Sequence, residues 1–108
     1  MRRAEEYIEA NWDKPIGLEA IAAASGVGIH SLSKNFRRNR GYGPMDFVKQ
    51  VRLRHARELL RYPGASTTVS GVAFACGFAD LARFEADYIR AFGQRPSDML
   101  RGTSRAPH

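Results

Sequence analysis

The chain has 108 residues, 44% of them apolar, with a formal net charge of +6, a sequence pI near 10.1 and a single cysteine, Cys76. That length supports one domain or two very small ones sharing a core, and the composition suits a folded protein rather than a disordered tail. No apolar run approaches the roughly 18 residues of a membrane span, no continuous apolar stretch follows the cations of MRRAEEYIEANW as a secretory signal requires, and one cysteine excludes an internal disulfide.

The basic balance favours polyanionic partners through counterion release. Residues 1–60 hold 11 Lys+Arg and 7 Asp+Glu, against 6 and 4 in residues 61–108. The two halves are therefore expected to do unequal electrostatic work. The lone thiol fits a reducing cytosol, so a cytoplasmic location is expected.

Nearly every segment reads as helix. Tyr7, Ile8 and Trp12 share a face of a first helix over residues 2–12, which Pro15 and Gly17 end. Leu18, Ile21 and Ala22 form the apolar side of a short second helix, stopped at Ser25-Gly26 because glycine is at ease in the left-handed conformation. Ile29, Leu32 and Phe36 predict the buried stripe of a third helix. GYGP breaks the chain at 41–44, and Pro44 suits the first turn of a fourth helix. That helix carries Phe47, Val51, Leu53, Ala56, Leu59 and Leu60 as far as Tyr62-Pro63 and would span about 27 Å.

The pattern then returns. Leu18, Ile21, Ala22 and Gly26 recur as Val69, Val72, Ala73 and Gly77, each 51 residues on. Leu32, Phe36, Gly41 and Pro44 recur as Phe84, Tyr88, Gly93 and Pro96, each 52 on. The second copy has one extra residue in its turn, where Asp80 is a good N-cap. Such agreement points to two copies of one unit: short helix, glycine turn, longer helix. That unit is a helix-turn-helix, able to place its second helix in a DNA major groove, or a plain helical hairpin.

The chain resembles the DNA-binding domain of the AraC/XylS family of bacterial transcription regulators. The matching text is LEAIAAASGVGIHSLSKNFRRNRGYGPMDFVKQVRLRHARELL, then VSGVAFACGFADLARFEADYIRAFGQRPSDM. In the second stretch Ala73, Gly77, Phe78, Asp80, Phe84, Tyr88, Phe92, Gly93 and Pro96 follow the family's pattern. The resemblance covers residues 5–101 and implies an all-α fold of seven helices. These form subdomains over 1–43 and 62–101, joined by a connecting helix at 44–61 that holds both recognition helices against one side of DNA. Beyond the resemblance, the composition of 102–108, GTSRAPH, reads as a flexible tail. The resemblance also implies double-stranded DNA as partner, with RNA polymerase a further candidate and no membrane. An effector-sensing or dimerisation domain, common in the family on the N-terminal side, does not fit here. An excised C-terminal domain is therefore expected over a stand-alone regulator.

At ~100° per residue, His30, Lys34 and Arg37 lie opposite the apolar stripe of the third helix, flanked by Ser33 and Arg38. The resemblance independently implies base-edge contacts at His30, Ser33 and Lys34, where lysine suits guanine O6 or N7. Arg37, Arg38 and Arg40 suit phosphates, which fix register without reading sequence. The corresponding helix of the second copy departs from this pattern. Its outward face is Ala82, Ala86 and Ile89 with Glu85 and Arg90 alongside, where the family usually has serine near 82, arginine near 86 and lysine near 89. Glu85 and Asp87 add repulsion toward phosphate, and only Arg83 and Arg90 offer cations to it. Three readings stay open. The helix reads thymine methyls through Ala82, Ala86 and Ile89 while Glu85 accepts from cytosine N4; or it lies near DNA and contributes little; or its apolar stripe docks another protein.

Other residues read more plainly. Cys76 is expected to be buried packing, Met45 and Met99 to fill core gaps, and Gly71 to mark close packing. Gly28 stands where the family usually has a capping serine. Lys49, Arg52, Arg54, Arg57 and Arg61 ring the connecting helix; Arg52 matches a family arginine and is expected to be structural, the others solvated. His30, His55 and His108 show no metal-ligand spacing, and no catalytic arrangement or cofactor loop stands out. A helical protein-interaction module with only nonspecific DNA affinity is the alternative.

Overall fold

The computed structural model describes residues 2–105, with side chains as far as 102. It is all-α: α1 (Arg2–Asn11), α2 (Leu18–Ser25), α3 (Ile29–Arg40), α4 (Pro44–Arg61), α5 (Val69–Ala75), α6 (Leu81–Phe92) and α7 (Pro96–Arg105). The helices sort into two compact units, Met1–Val51 and Arg52–His108. The boundary falls inside α4, so the helix that the sequence sets apart as a connector gives residues 44–51 to the first unit and 52–61 to the second.

The first unit buries Ala4, Ile8, Ile21, Ala22, Leu32, Phe36, Phe47, Val48 and Val51, with Tyr7, Trp12, Ile16, Leu18 and Tyr42 packed against them. The second buries Leu53, Ala56, Leu60, Val72, Ala73, Cys76, Phe84 and Tyr88. A run of aromatic contacts crosses it, from Phe78 on Phe84 at 4.9 Å to Tyr88 on Phe92 at 4.7 Å between ring centroids.

The two turns repeat bond for bond. In the first, Gly26 N donates to Ala23 O and Val27 N to Ala22 O; in the second, Gly77 N donates to Phe74 O and Phe78 N to Ala73 O. Paired bonds of this kind satisfy carbonyls at a helix end and need a left-handed residue, supplied by Gly26 at φ 74 and Gly77 at φ 93. The extra residue of the second turn is Ala79, since the offset is 51 up to Phe78 and 52 from Asp80 onward. The 52-residue offset also holds beyond the helix-turn-helix. Ala4 and Ala56 are both fully buried, as are Ile8 and Leu60. Thus α1 is the counterpart of the second half of α4, and Pro44 and Pro96 open counterpart helices.

The copies start their helices differently. Gly17 and Gly28 precede α2 and α3 without a side-chain cap. In the second unit Thr68 Oγ1 accepts from Gly71 N, and Asp80 accepts from Ala82 N and Arg83 N. At Gly71 a Cβ would lie 2.9 Å from Thr68 Oγ1, so a side chain there would make the capping hydroxyl shift. Gly77 has a similar constraint, because a Cβ would lie 3.1 Å from Arg52 Nε and 3.2 Å from its Cζ. Arg52 is therefore lodged against the second turn, and burial lowers its pKa, with the neighbouring Cys76 thiol acting the other way.

Several expectations need correction. Ile29 and Met45 are each 39% exposed and Leu59 is 44% exposed. Helical side chains lean toward the N-terminus, so residues in the first turn, such as Ile29 and Met45, overhang the core instead of filling it. Val48, absent from the expected stripe of α4, is buried. Helix α7 runs to Arg105, so residues 102–105 are helical rather than part of a tail, and residues 106–108 lie outside the described residues.

Gly77→Ala is expected to cost about 1–2 kcal/mol from the left-handed backbone alone, more as Arg52 is displaced. Asp80→Ala is expected to cost about 1 kcal/mol. Gly28→Ser should gain a few tenths. Urea titration of the three variants measures all of these. Burial pushes the Cys76 thiol up to about 11 from 9.0, Arg52 opposing the shift. The neutral thiol is favoured by folding, so its stabilisation is fully present below pH 9.0 and is lost between 9.0 and about 11. Cys76→Ala should flatten that alkaline decline in denaturation curves. In the native chain Cys76 should resist alkylation at pH 8 until urea unfolds it.

Candidate nucleic-acid interface

Helix α3, IHSLSKNFRRNR, contains no acid. Leu32 at 2% and Phe36 at 0% exposure fix its inner side. His30, Lys34, Arg37 and Arg38 are exposed on the other side, with Ser33 half-buried at its edge. No ion pair among the described residues holds Lys34, Arg37 or Arg38. The helix closes at Gly41, φ 82, whose N–H donates to Arg37 O. Three cations in the last turn complement the negative end of the helix dipole. The result is an exposed cationic ridge on a helix pinned by two large side chains.

The charge of Arg40 groups it with the phosphate-directed arginines, but its side chain is engaged within the unit. Its Nη2 lies 2.6 Å from Glu5 Oε2, and its Nε donates to the same oxygen at 2.7 Å. Its guanidinium carbon stands 4.6 Å from the centre of the Phe47 ring. The Glu5 hydrogen bond raises the Arg40 pKa; slight burial opposes this and Tyr42 adds to it. Arg40 thus ties the end of α3 to α1 and α4.

Helix α6 has the same frame and a different outer side. Ala82, Glu85, Ala86 and Arg90 are exposed, and Ile89 is 43% exposed. Asp87 does not add to its outward charge: it is 6% exposed, with Arg83 Nε 3.9 Å from its Oδ2. Arg83 itself remains 73% exposed. At the position matching Arg40, 52 residues on, stands Phe92, and at the position matching Glu5 stands Arg57. Those two also meet, with the guanidinium carbon of Arg57 4.4 Å from the Phe92 ring centre. Arg57 is therefore a packing residue and not, as its place on α4 suggested, a solvated one.

No helix among the described residues is long and apolar enough to cross a membrane. No group of three or more His, Cys, Asp or Glu among them could hold a metal ion.

A family profile described as a helix-turn-helix domain matches residues 21–102. The crystal structure of a probable AraC family transcriptional regulator from Rhodopseudomonas palustris CGA009 superposes with a TM-score of 0.90 at 46% identity, over 94% of each chain. The chain belongs to the AraC/XylS family.

Curated regulatory proteins align over nearly the whole chain. The probable thc operon regulatory protein of Rhodococcus erythropolis is 36% identical over 102 residues, 94% of this chain and 31% of that protein. The XylDLEGF operon transcriptional activator of Pseudomonas putida is 33% identical over 100 residues, 92% of this chain and 31% of that protein. The chain thus spans about a third of the length of these relatives. As an AraC/XylS helix-turn-helix domain it binds double-stranded DNA sequence-specifically in transcription regulation.

Residue pattern alone does not give the Glu5–Arg40 and Arg57–Phe92 pairs. Once the fold shows one of them, the 52-residue offset, which aligns 5 with 57 and 40 with 92, puts the other at the matching position. Arg40→Ala is expected to lower stability by on the order of 1 kcal/mol, from a screened ion pair and a cation–π contact. Arg37→Ala and Arg38→Ala should leave stability unchanged within about 0.5 kcal/mol. Thermal melts of the three variants separate the roles.

Proposed function

We propose that α3 is the principal DNA-reading helix of this regulator. Lys34 donates to guanine O6 or N7, and His30 and Ser33 make shorter-range contacts with neighbouring base edges. Arg37 and Arg38 pair with phosphates on either side and fix register. In the second unit Arg90, with Arg83 beside it, supplies phosphate contacts, while Ala82, Glu85 and Ala86 face the bases. Arg40 holds the helix and takes no phosphate. The observation that carries this reading is the division of α3 into a side anchored by the buried Leu32 and Phe36 and an acid-free cationic side.

The whole protein acts in the bacterial cytoplasm, where its DNA lies. The greater length of the curated relatives supports an additional effector-sensing or dimerisation domain in it. A relative named as an operon transcriptional activator supports RNA polymerase as a second partner. The rival reading, a protein-interaction module with nonspecific DNA affinity, draws on Tyr62 and Phe74, 72% and 55% exposed in the second unit.

Selection from random duplexes followed by gel-shift titration tests the proposal. A sequence motif should emerge. Lys34→Ala should weaken binding to it by about ten- to a hundredfold, and Glu85→Ala by less. Arg37→Ala and Arg38→Ala should weaken binding to all duplexes alike and each reduce the salt slope by about one. No enriched motif, or equal losses at Lys34 and Glu85, would favour the interaction module.

A further inference from the structure

The outer side of α6 poses the sharper problem. By the 52-residue offset, His30, Ser33, Lys34 and Arg37 correspond to Ala82, Glu85, Ala86 and Ile89. The frame behind those positions is unchanged: Leu32 and Phe36 correspond to the fully buried Phe84 and Tyr88. The closing bond also repeats, Gly93 N donating to Ile89 O as Gly41 N donates to Arg37 O. Where α3 carries hydrogen-bond donors, α6 carries methyl groups and an exposed isoleucine.

Three observations favour a DNA-facing role for this side of α6. First, its helix is better anchored than α3, because Asp80 caps it at Ala82 N, 2.9 Å, and Arg83 N, 3.3 Å. Second, the buried Asp87 removes one of two expected acids, so Glu85 is the sole carboxylate on the outer side of α6. Third, Arg90 occupies the position of Arg38 and is exposed like it, so the phosphate-directed cation persists in both copies. In the major groove the group that an alanine or isoleucine can recognise is the 5-methyl of thymine, and the group suited to a lone carboxylate is the cytosine amino hydrogen.

We propose that α6 reads its half-site by apolar contact, with Ala82, Ala86 and Ile89 packing on thymine 5-methyl groups and Glu85 accepting from a cytosine N4. The two copies therefore use different chemistry: α3 selects by hydrogen bonds from Lys34, His30 and Ser33, and α6 by methyl contact. This rests on the DNA-binding reading above.

The test uses the duplex enriched by selection, with each thymine replaced in turn by deoxyuridine. The change deletes the methyl and leaves the pairing and the remaining groove edge intact. Binding should fall about fourfold for each methyl that α6 covers, the value of one buried methyl-sized group, and those positions should cluster outside the bases whose change Lys34→Ala tolerates. Ile89→Ala and Ala86→Lys alter exposed positions, so circular dichroism should show both folded. Each should abolish the deoxyuridine penalty at its own thymine and leave the others. If every deoxyuridine duplex binds as the thymine parent does while Lys34→Ala still weakens binding, methyl reading by α6 is overturned and base reading by α3 stands. If deoxyuridine penalties appear but survive unchanged in both α6 variants, another helix makes those contacts and the proposal falls. Loss of all sequence preference, with Lys34→Ala neutral, would overturn the underlying DNA reading instead.

Discussion

The glycine turn closed by two backbone hydrogen bonds is the constraint on which each unit depends. Gly26 and Gly77 take a left-handed conformation that L side chains avoid, and Val27 N and Phe78 N reach back to Ala22 O and Ala73 O. Those acceptor residues are themselves buried alanines. A larger residue there would push the second helix away; any residue with a Cβ at the glycine would strain the turn. The direction of α3 and α6 out of the turn is thus set by backbone chemistry, before any outward side chain matters. Only a helix aimed in this way can offer a fixed set of side chains to a groove.

Around that turn the two units solve the same problem with different contacts. The first leaves both helix-turn-helix N-termini with glycine and gives the end of α3 an arginine held by Glu5 and Phe47. The second caps its helices with Thr68 and Asp80 and replaces the Glu5–Arg40 pair with Arg57 on Phe92. Both arrangements tie the far end of the second helix to the helix that begins the unit. One relies on a charged hydrogen bond close to solvent, which salt weakens; the other on a guanidinium against a ring, which it weakens less.

What was legible in the sequence was whatever repeats through periodicity or backbone need. Leu32 with Phe36, Phe84 with Tyr88, and the glycines at 26 and 77 announce themselves because burial and positive φ restrict the residue types allowed. The fold class and the outer side of α3 follow from those few positions. Illegible were contacts between residues far apart in sequence that obey no period. Glu5 and Arg40 are 35 residues apart, and each taken alone reads as an ordinary surface charge. Asp87 misleads for a related reason: its charge predicts exposure, yet three residues after the buried Phe84 it is 6% exposed, with the outlying Arg83 Nε 3.9 Å from its Oδ2. Ile29 and Met45 misled in the opposite sense, being apolar residues in first turns, where the lean of helical side chains carries them past the core.

The offset that links the units also separates two kinds of position. At 4 and 56, 8 and 60, 22 and 73, 36 and 88, the residues stay apolar and buried, so the scaffold tolerates little change. At 30 and 82, 33 and 85, 34 and 86, 37 and 89, nothing chemical is retained. Packing constrains the inner positions and places no demand on these outer ones, where Ile89 is 43% exposed. A duplicated frame whose outer positions diverge while its inner ones do not is what two different base sequences would demand of two copies of one reader. The asymmetry of charge between α3 and α6 then fits the proposed division of reading, one helix suited to the acceptor edge of guanine and the other to methyl-bearing edges.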